Sequence, residues 1–466
     1  MNRLLKTVCA IPLCLTLTGA LLFQGCSEEE TIIAPADDVR TSAQSTITCG
    51  CTYTVPSGTK VIDGLALKLA PGSTICLNAS YKYTTLLFRN IRGTATQPII
   101  IKNCGGTVQL NGTGMGYTIK TEYSSHFKIQ GGTGNVYGIR VTGGHMGITL
   151  EKLSTDFELN NLEVYGVGFA GIMAKTDPTC DNATIRGNFV MRNTSFHDNY
   201  IHDTAGEGIY IGNSFYEQGM TTPCGVRYPH LIDGLKIYKN KIVNAGWEAI
   251  QVGCALSGAY VYANTIQNYG AKNSKYQNNG IQFSAGTKAI CYENSLNGGY
   301  GIGIMVIGHG DAFIHDNLIV KAGAQAIFCD ERNARNLPGM RIINNTIVSP
   351  KSDGIRLYTE YVPNKVYNNI IVNPGSYSTY TYPRTGNDAY VYKLTKTMGA
   401  DIQNNLNTRD INSVKFADVL QSNYRVTSAS PAINKGKDVR VFSIPNDYYL
   451  QPRLKGTAFD IGASEY

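Results

Sequence analysis

Glu207 and Glu248 occupy the same position in two successive units of a repeat, and Lys175, His202 and Asp203 fall close to them along that pattern. Two carboxylates stacked about 4.8 Å apart, the separation of neighbouring strands, repel each other. Such a pair either raises a pKa, so that a proton is held near neutral pH, or draws in a cation. In the cationic arrangement Asp203, Glu207 and Glu248 hold Ca2+ against a substrate carboxylate. Lys175, its pKa lowered by partial burial, then removes the proton beside a uronate carboxylate, with His202 as the other candidate base. In the protonated arrangement Glu207 and Glu248 are the acid/base pair of a glycoside hydrolase, retaining at about 5–5.5 Å and inverting at a wider gap. Trp247 beside Glu248, and Tyr210, Gln251, Gln282 and Arg356 in a neighbouring column, are the candidate substrate contacts. An aromatic face fits the apolar side of a pyranose.

The asparagines show what would hold these side chains in line. Asn199, Asn240, Asn264, Asn294, Asn317 and Asn345 each open a short apolar run. In five of the six a small residue and Ile follow nine residues later, as Gly208-Ile209, Ala249-Ile250, Gly303-Ile304, Ala326-Ile327 and Gly354-Ile355. The Asn264 unit reaches Gly280-Ile281 after an inserted loop, and Asn161 and Asn369 begin weaker units at either end. A period near two dozen residues, built from short Val/Ile alternations broken by Gly and Asn, predicts a solenoid. Long amphipathic helices, the Leu spacing of horseshoe repeats and regular hairpin turns are all missing from the sequence, which leaves a parallel β-helix. The recurring Asn is expected in the left-handed region at a tight bend, its amide bonded to the copies above and below. The Ile residues point inward, while Glu207 and Lys175 are expected on an outward, solvated face. The insertions 176–196 and 213–234 flank Glu207 and supply long loops on a rigid scaffold, where binding sites concentrate. His197-Asp198-Asn199 and His315-Asp316-Asn317 recur at one repeat position and read as bend residues rather than catalytic ones.

The opening Pro71-Gly72-Ser73-Thr74-Ile75 and Gln97-Pro98-Ile99-Ile100-Ile101-Lys102 resemble the first coils of right-handed parallel β-helix proteins of the pectate-lyase-like superfamily. Ser430-Pro431-Ala432-Ile433-Asn434-Lys435-Gly436 and Phe459-Asp460-Ile461-Gly462-Ala463-Ser464-Glu465-Tyr466 are similar to their closing segment. The resemblance implies an all-β solenoid, with residues 45–375 forming the β-helix and its N-terminal cap and 376–466 a C-terminal capping segment. It also favours a polysaccharide lyase cleaving a uronate-containing glycan; Ca2+ as its cofactor is read from the crowding of carboxylates alone. The hydrolase, and a surface glycan-binding or structural protein without turnover, remain the alternatives.

Arg3 and Lys6 followed by the apolar stretch Val8 to Phe23 form a signal segment, too short for a spanning helix. It ends at Phe23-Gln24-Gly25-Cys26, which resembles a bacterial lipoprotein signal with Cys26 lipidated after residues 1–25 are removed. The following Ser27-Glu28-Glu29-Glu30, in a tether spanning 26–44, resembles the surface-export signal of Bacteroides-group lipoproteins. An outer-membrane, surface-exposed, monomeric protein is therefore expected. The formal charge falls from +7 to +5 as Arg3 and Lys6 leave, which suits an acidic polysaccharide partner. An oxidising compartment permits disulfides, with Cys180–Cys224 the preferred pair and Cys49 or Cys51 bridging to Cys76. Cys254, Cys291 and Cys329 read as buried thiols. Only 16% of residues are charged, against 50 Gly and 30 Tyr, so the polar surface is built largely from uncharged side chains. Basic residues are scattered, which argues against nucleic acid. Without a phosphate-cradling Gly loop or dinucleotide fingerprint, phosphoryl transfer and redox chemistry are also excluded.

Overall fold

A computed structural model describes residues 49–132, 137–330, 332, 337–358, 363–375, 389–395 and 399–466. Cys26 and the expected signal segment lie outside the described residues. Each coil contributes one short strand to each of three parallel sheets. Among the described residues, sheet A has 13 strands, from Tyr53–Val55 to Ala400–Gln403. Sheet B has 12, from Val61–Asp63 to Val391–Lys393, and sheet C has 11, from Val108–Asn111 to Leu406–Thr408. Alternation does the local work: in Leu235–Tyr238 the buried Leu235 and Ile237 alternate with outward Lys236 and Tyr238. The Ile of every repeat is inside. Ile201, Ile242, Ile266 and Ile319 from sheet C meet Ile209, Ile250, Ile281 and Ile304 from sheet B in one core.

The asparagine column runs unbroken along the bend between sheets A and C. The amide Nδ2 of Asn199 donates to Oδ1 of Asn240 at 3.0 Å, and the link repeats through Asn264, Asn294, Asn317, Asn345 and Asn369 to Asn405. Each Oδ1 also accepts the backbone N–H of the preceding Asn in the column, as Asn240 does from Asn199 at 3.2 Å and Asn264 from Asn240 at 3.0 Å. One expectation is corrected here. The left-handed residue is not the Asn but the one before it: Asp198, Lys239, Ala263, Glu293, Asp316, Asn344, Asn368 and Asn404, all near φ +50 to +55. The preceding residue makes the bend, which turns the Asn amide inward to face its copies.

Disulfides Cys49–Cys104 and Cys51–Cys76 staple the first coils, and Cys180–Cys224 joins the two long loops with Cα atoms 5.5 Å apart. Cys254, Cys291 and Cys329 are buried free thiols. The solenoid does not stop at 375, because Val391–Lys393, Ala400–Gln403 and Leu406–Thr408 add a further coil. Beyond it the chain folds back along the outside of sheet C. Val414, Tyr424, Val426, Ala432 and Ile461 cover the outward apolar residues Leu318, Val320, Val348, Ile370 and Val372. A buried Arg453 fixes that segment, bonded to Asp316 of the coil and, at 3.1 Å, to Glu465. No helix among the described residues is long and apolar enough to cross a membrane.

Candidate active site

Register places the pair. Ile209 lies beside Ile250 and Tyr210 beside Gln251 in sheet B, so Glu207 and Glu248, two residues before each Ile, stand on adjacent coils. The backbone closes the turn, with Gly208 N–H donating to Glu248 O at 2.9 Å. A side chain at Gly208 would meet Ala249 O at 2.6 Å and Ile242 Cγ2 at 2.8 Å, so the small residue of each unit lets the coils approach. The carboxylates are not on a solvated face as expected. Glu207 is 2% exposed and Glu248 is buried completely, because they sit in the turn between sheets C and B rather than on a strand. Burial pushes Glu207 up to about 7, although its own backbone amide and the Lys175 charge pull the other way. Burial pushes Glu248 up to about 8, helped by the neighbouring charge of Glu207 and opposed by its own backbone amide and by Asn279. Oε1 of Glu248 accepts from Asn279 at 3.3 Å, while Oε2 of each carboxylate has no protein partner.

The other expected site residues separate. Lys175 stands on the coil before Glu207, its Nζ 3.0 Å from Asp177 and 5.2 Å from the centre of the Tyr210 ring. Burial favours its neutral form, but Tyr210, Asp177 and Glu151 outweigh it and the pKa is raised. The expectation of a depressed base is overturned: Lys175 is a firm cation. His202 belongs to sheet C, stacked between Tyr165 and Tyr200, with Nδ1 2.6 Å from Asp203 and Nε2 3.3 Å from Glu163. Asp203 bonds His202 and, at 2.8 Å, Asn244, so it takes part in a surface column of its own. It does not join the Glu207–Glu248 pair. Among the described residues, the one trio of acidic, imidazole or thiol groups close enough to share an ion is Cys49, Cys51 and Cys104, and these form disulfides. Ca2+ takes six to eight oxygens, and two carboxylates with no third acidic group among the described residues close enough to share the ion do not fit it. His197 and His315 each bond the following Asp at 2.7 Å and end a stack of rings through Tyr238, Tyr262 and Tyr292.

The expected substrate contacts fall into two groups. Tyr210, Gln251 and Gln282 lie side by side on consecutive strands of sheet B, and Arg356 lies four strands beyond Gln251 in the same row. Arg356 is paired with Asp353 at 2.5 Å. Ser214, from the second long loop, receives the Gln251 amide at 2.7 Å and meets the Tyr210 hydroxyl at 3.3 Å. Trp247 is half-buried, edge-on to Phe169 at 5.4 Å across Gly206. The two loops interlock through Cys180–Cys224 and through Arg186, which packs on Tyr216 at 4.0 Å. Buried His230 adds a latch, accepting the Thr176 N–H at 3.0 Å through Nε2 and donating to Leu231 O at 2.9 Å through Nδ1. Burial holds it neutral, with its pKa down to about 4.

Sequence reasoning missed the open space one coil beyond Glu248, which begins at its partner Asn279. A groove of about 390 Å3 starts at Asn279 and Gln282 and is walled by Tyr276, Asn278 and Tyr300. Its signal was the insertion that breaks the period after Asn264, which carries Tyr276 and Asn278.

A family described as a right handed beta helix region matches residues 192–371. No curated protein matches the chain in sequence. Among solved structures, the selenomethionine derivative of GH136 lacto-N-biosidase from Eubacterium ramulus is similar at 12% identity and a TM-score of 0.51, over 77% of this chain and 68% of that one. Pectate lyase Pel9A is similar at 13% identity and a TM-score of 0.50, over 86% of this chain and 90% of that one. Identity this low speaks to shape alone. Together with three long parallel sheets, these matches make the chain an all-β protein of the right-handed parallel β-helix fold.

Proposed function

We propose that the protein is a glycan-active enzyme that hydrolyses a glycosidic bond with Glu207 and Glu248. One observation carries this reading: two carboxylates on adjacent coils, both raised to near neutrality, each with an oxygen lacking a protein partner. The adjacent-coil spacing of about 4.8 Å lies nearer the about 5–5.5 Å of retaining hydrolases than the wider inverting gap. Glu207, the member under the pull of Lys175, is the one to ionise and attack the anomeric carbon. Glu248 donates its proton to the departing glycosidic oxygen. Water then opens the glycosyl ester on Glu207 as Glu248 takes a proton back, and both carboxyls return to their starting states. Both side chains are shielded from water, so substrate reaches them only as rim side chains move.

Elimination from a uronate fits less well. It needs a base and a positive counter-charge at the substrate carboxylate, whereas Lys175 is held protonated on Asp177. Two glycan-named neighbours of the fold, a lacto-N-biosidase and a pectate lyase, are compatible with either chemistry. Mass spectrometry of products from a panel of polysaccharides decides. Fragments of full hydrolytic mass, lost in Glu207→Gln and Glu248→Gln, are expected. Fragments one water lighter would restore the lyase, and no fragments from any substrate would favour a binding protein. The reading also keeps the lipid anchor at Cys26 on the outer membrane, tested by fatty-acid labelling of the cells that is lost in Cys26→Ala.

A further inference from the structure

We propose that the groove beside Glu248 is a preformed subsite for an uncharged glycan, recognised by tyrosine faces and side-chain amides. The inference rests on the glycan reading above and deepens it. The groove crosses the coils whose sheet B strands begin at Ile281, Ile304 and Ile327. That is about 10 Å from first to last at ~4.8 Å a step, the room of about two linked pyranose rings.

Its walls come from the insertion. Tyr276 is 79% exposed and held at φ +68, a conformation unfavourable for a bulky side chain, and Tyr300 is 49% exposed. Strain of this kind persists only where the surrounding structure imposes it. Tyr276 is the third residue of a turn closed by Gln277 N–H on Ser274 O at 3.1 Å, and the insertion packs close on the coils: a Cβ at Gly301 would meet Asn278 Oδ1 at 2.2 Å, and one at Gly270 would meet Asn278 O at 2.4 Å. Asn278 also donates to Asn273 at 3.3 Å, which ties the loop to itself. The insertion is thus seated on the coils with an aromatic ring turned outward.

Besides Arg332 and the tyrosine hydroxyls, the groove's polar groups are side-chain amides. Asn279 and Gln282 are almost fully buried, at 3% and 8% exposed, and Gln282 Oε1 accepts from Asn279 at 2.8 Å. Amides both donate and accept, which matches sugar hydroxyls and acetamido groups. Among the described residues, Arg332 lines the groove and Lys275 lies next to its wall, and both are already engaged. Arg332 lies 3.4 Å from Asp330, and Lys275 sits 4.9 Å over the Tyr276 ring. A uronate carboxylate entering this groove would lose water and meet an Arg332 whose charge Asp330 already offsets, and that penalty discriminates against it.

The test uses titration calorimetry on the full chain carrying Glu248→Gln, so that binding is read without turnover. Probes are tetrasaccharides of glucose and N-acetylglucosamine, set against tetramers of galacturonate and mannuronate. At least one neutral tetramer is expected to bind at least tenfold more tightly than either uronate, with affinity insensitive to salt. Tyr276→Ala and Tyr300→Ala are each expected to weaken it about tenfold, while circular dichroism stays unchanged. Equal or tighter uronate binding, no binding by any probe, or indifference to both Tyr variants would overturn the proposal. Neutral binding without cleavage by the unmutated protein would instead sink the hydrolase reading and leave the subsite standing.

Discussion

Two buried polar columns run along this β-helix, one of asparagines between sheets A and C and one holding Glu207 and Glu248 between sheets C and B. In the first, each interior amide donates both hydrogens and accepts two, from one coil to the next. In the second, Glu207 and Glu248 each keep an oxygen unpartnered and carry strongly raised pKa values. Burial is the same in both, and satisfaction is what differs. A buried group with every bond made contributes to the fold, whereas one left short of partners is a cost the fold tolerates, and such costs gather at working sites.

The largest effect expected is on the unsatisfied column. Glu248→Gln should cut turnover by about 10²–10⁴-fold with no loss of melting temperature, since it removes an ionisable group from a site that disfavours charge. A variant that keeps full activity would end the distinction drawn between the columns. In the satisfied column, Asn294→Ala should lower stability by about 3 kcal/mol, because the Asn264 amide and the Asn317 oxygen each lose one partner and the Asn264 backbone N–H loses its acceptor. Its remaining folded fraction should turn over normally, as denaturant unfolding beside initial rates would show.

The pH dependence sharpens the contrast. Both carboxyls have folded-state pKa values of about 7 and 8, above the ordinary 4.5. Their contribution is fully present below about 4.5 and is lost as pH rises towards about 8, because the unfolded chain releases protons the folded one retains. His230, lowered from 6.5 to about 4, acts in the opposite sense and costs stability as pH falls between those values. Thermal melts of the Glu207→Gln/Glu248→Gln double variant should therefore lose the alkaline slope and keep the acidic one. The smallest effect belongs to Lys175→Met, which should move the pH–rate profile of Glu207 upward and change the maximal rate only a few-fold. Collapse of activity in that variant would return Lys175 to the role of a catalytic group.

Much of the architecture was legible because a solenoid writes its geometry as period. The Asn spacing located each coil, the Ile positions located the core, and counting from Asn199 and Asn240 brought Glu207 and Glu248 onto neighbouring turns. The bend itself was misassigned by one residue, since any residue type can be forced to positive φ when the Asn after it is locked by its copies. Counting could not tell outside from inside at the turn between sheets, so a buried pair looked exposed. Nor could it show that His202 and Asp203, near in sequence, face away on another sheet.

The repeat determined by itself that this chain would stack into coils, because every unit buries the same apolar positions and satisfies the same amides in its neighbours. Only the tertiary structure decided which polar groups were left without partners, and that a period-breaking insertion would turn Tyr276 toward an open groove. Both depend on contacts between coils and inserted loops, and such contacts have no period to read.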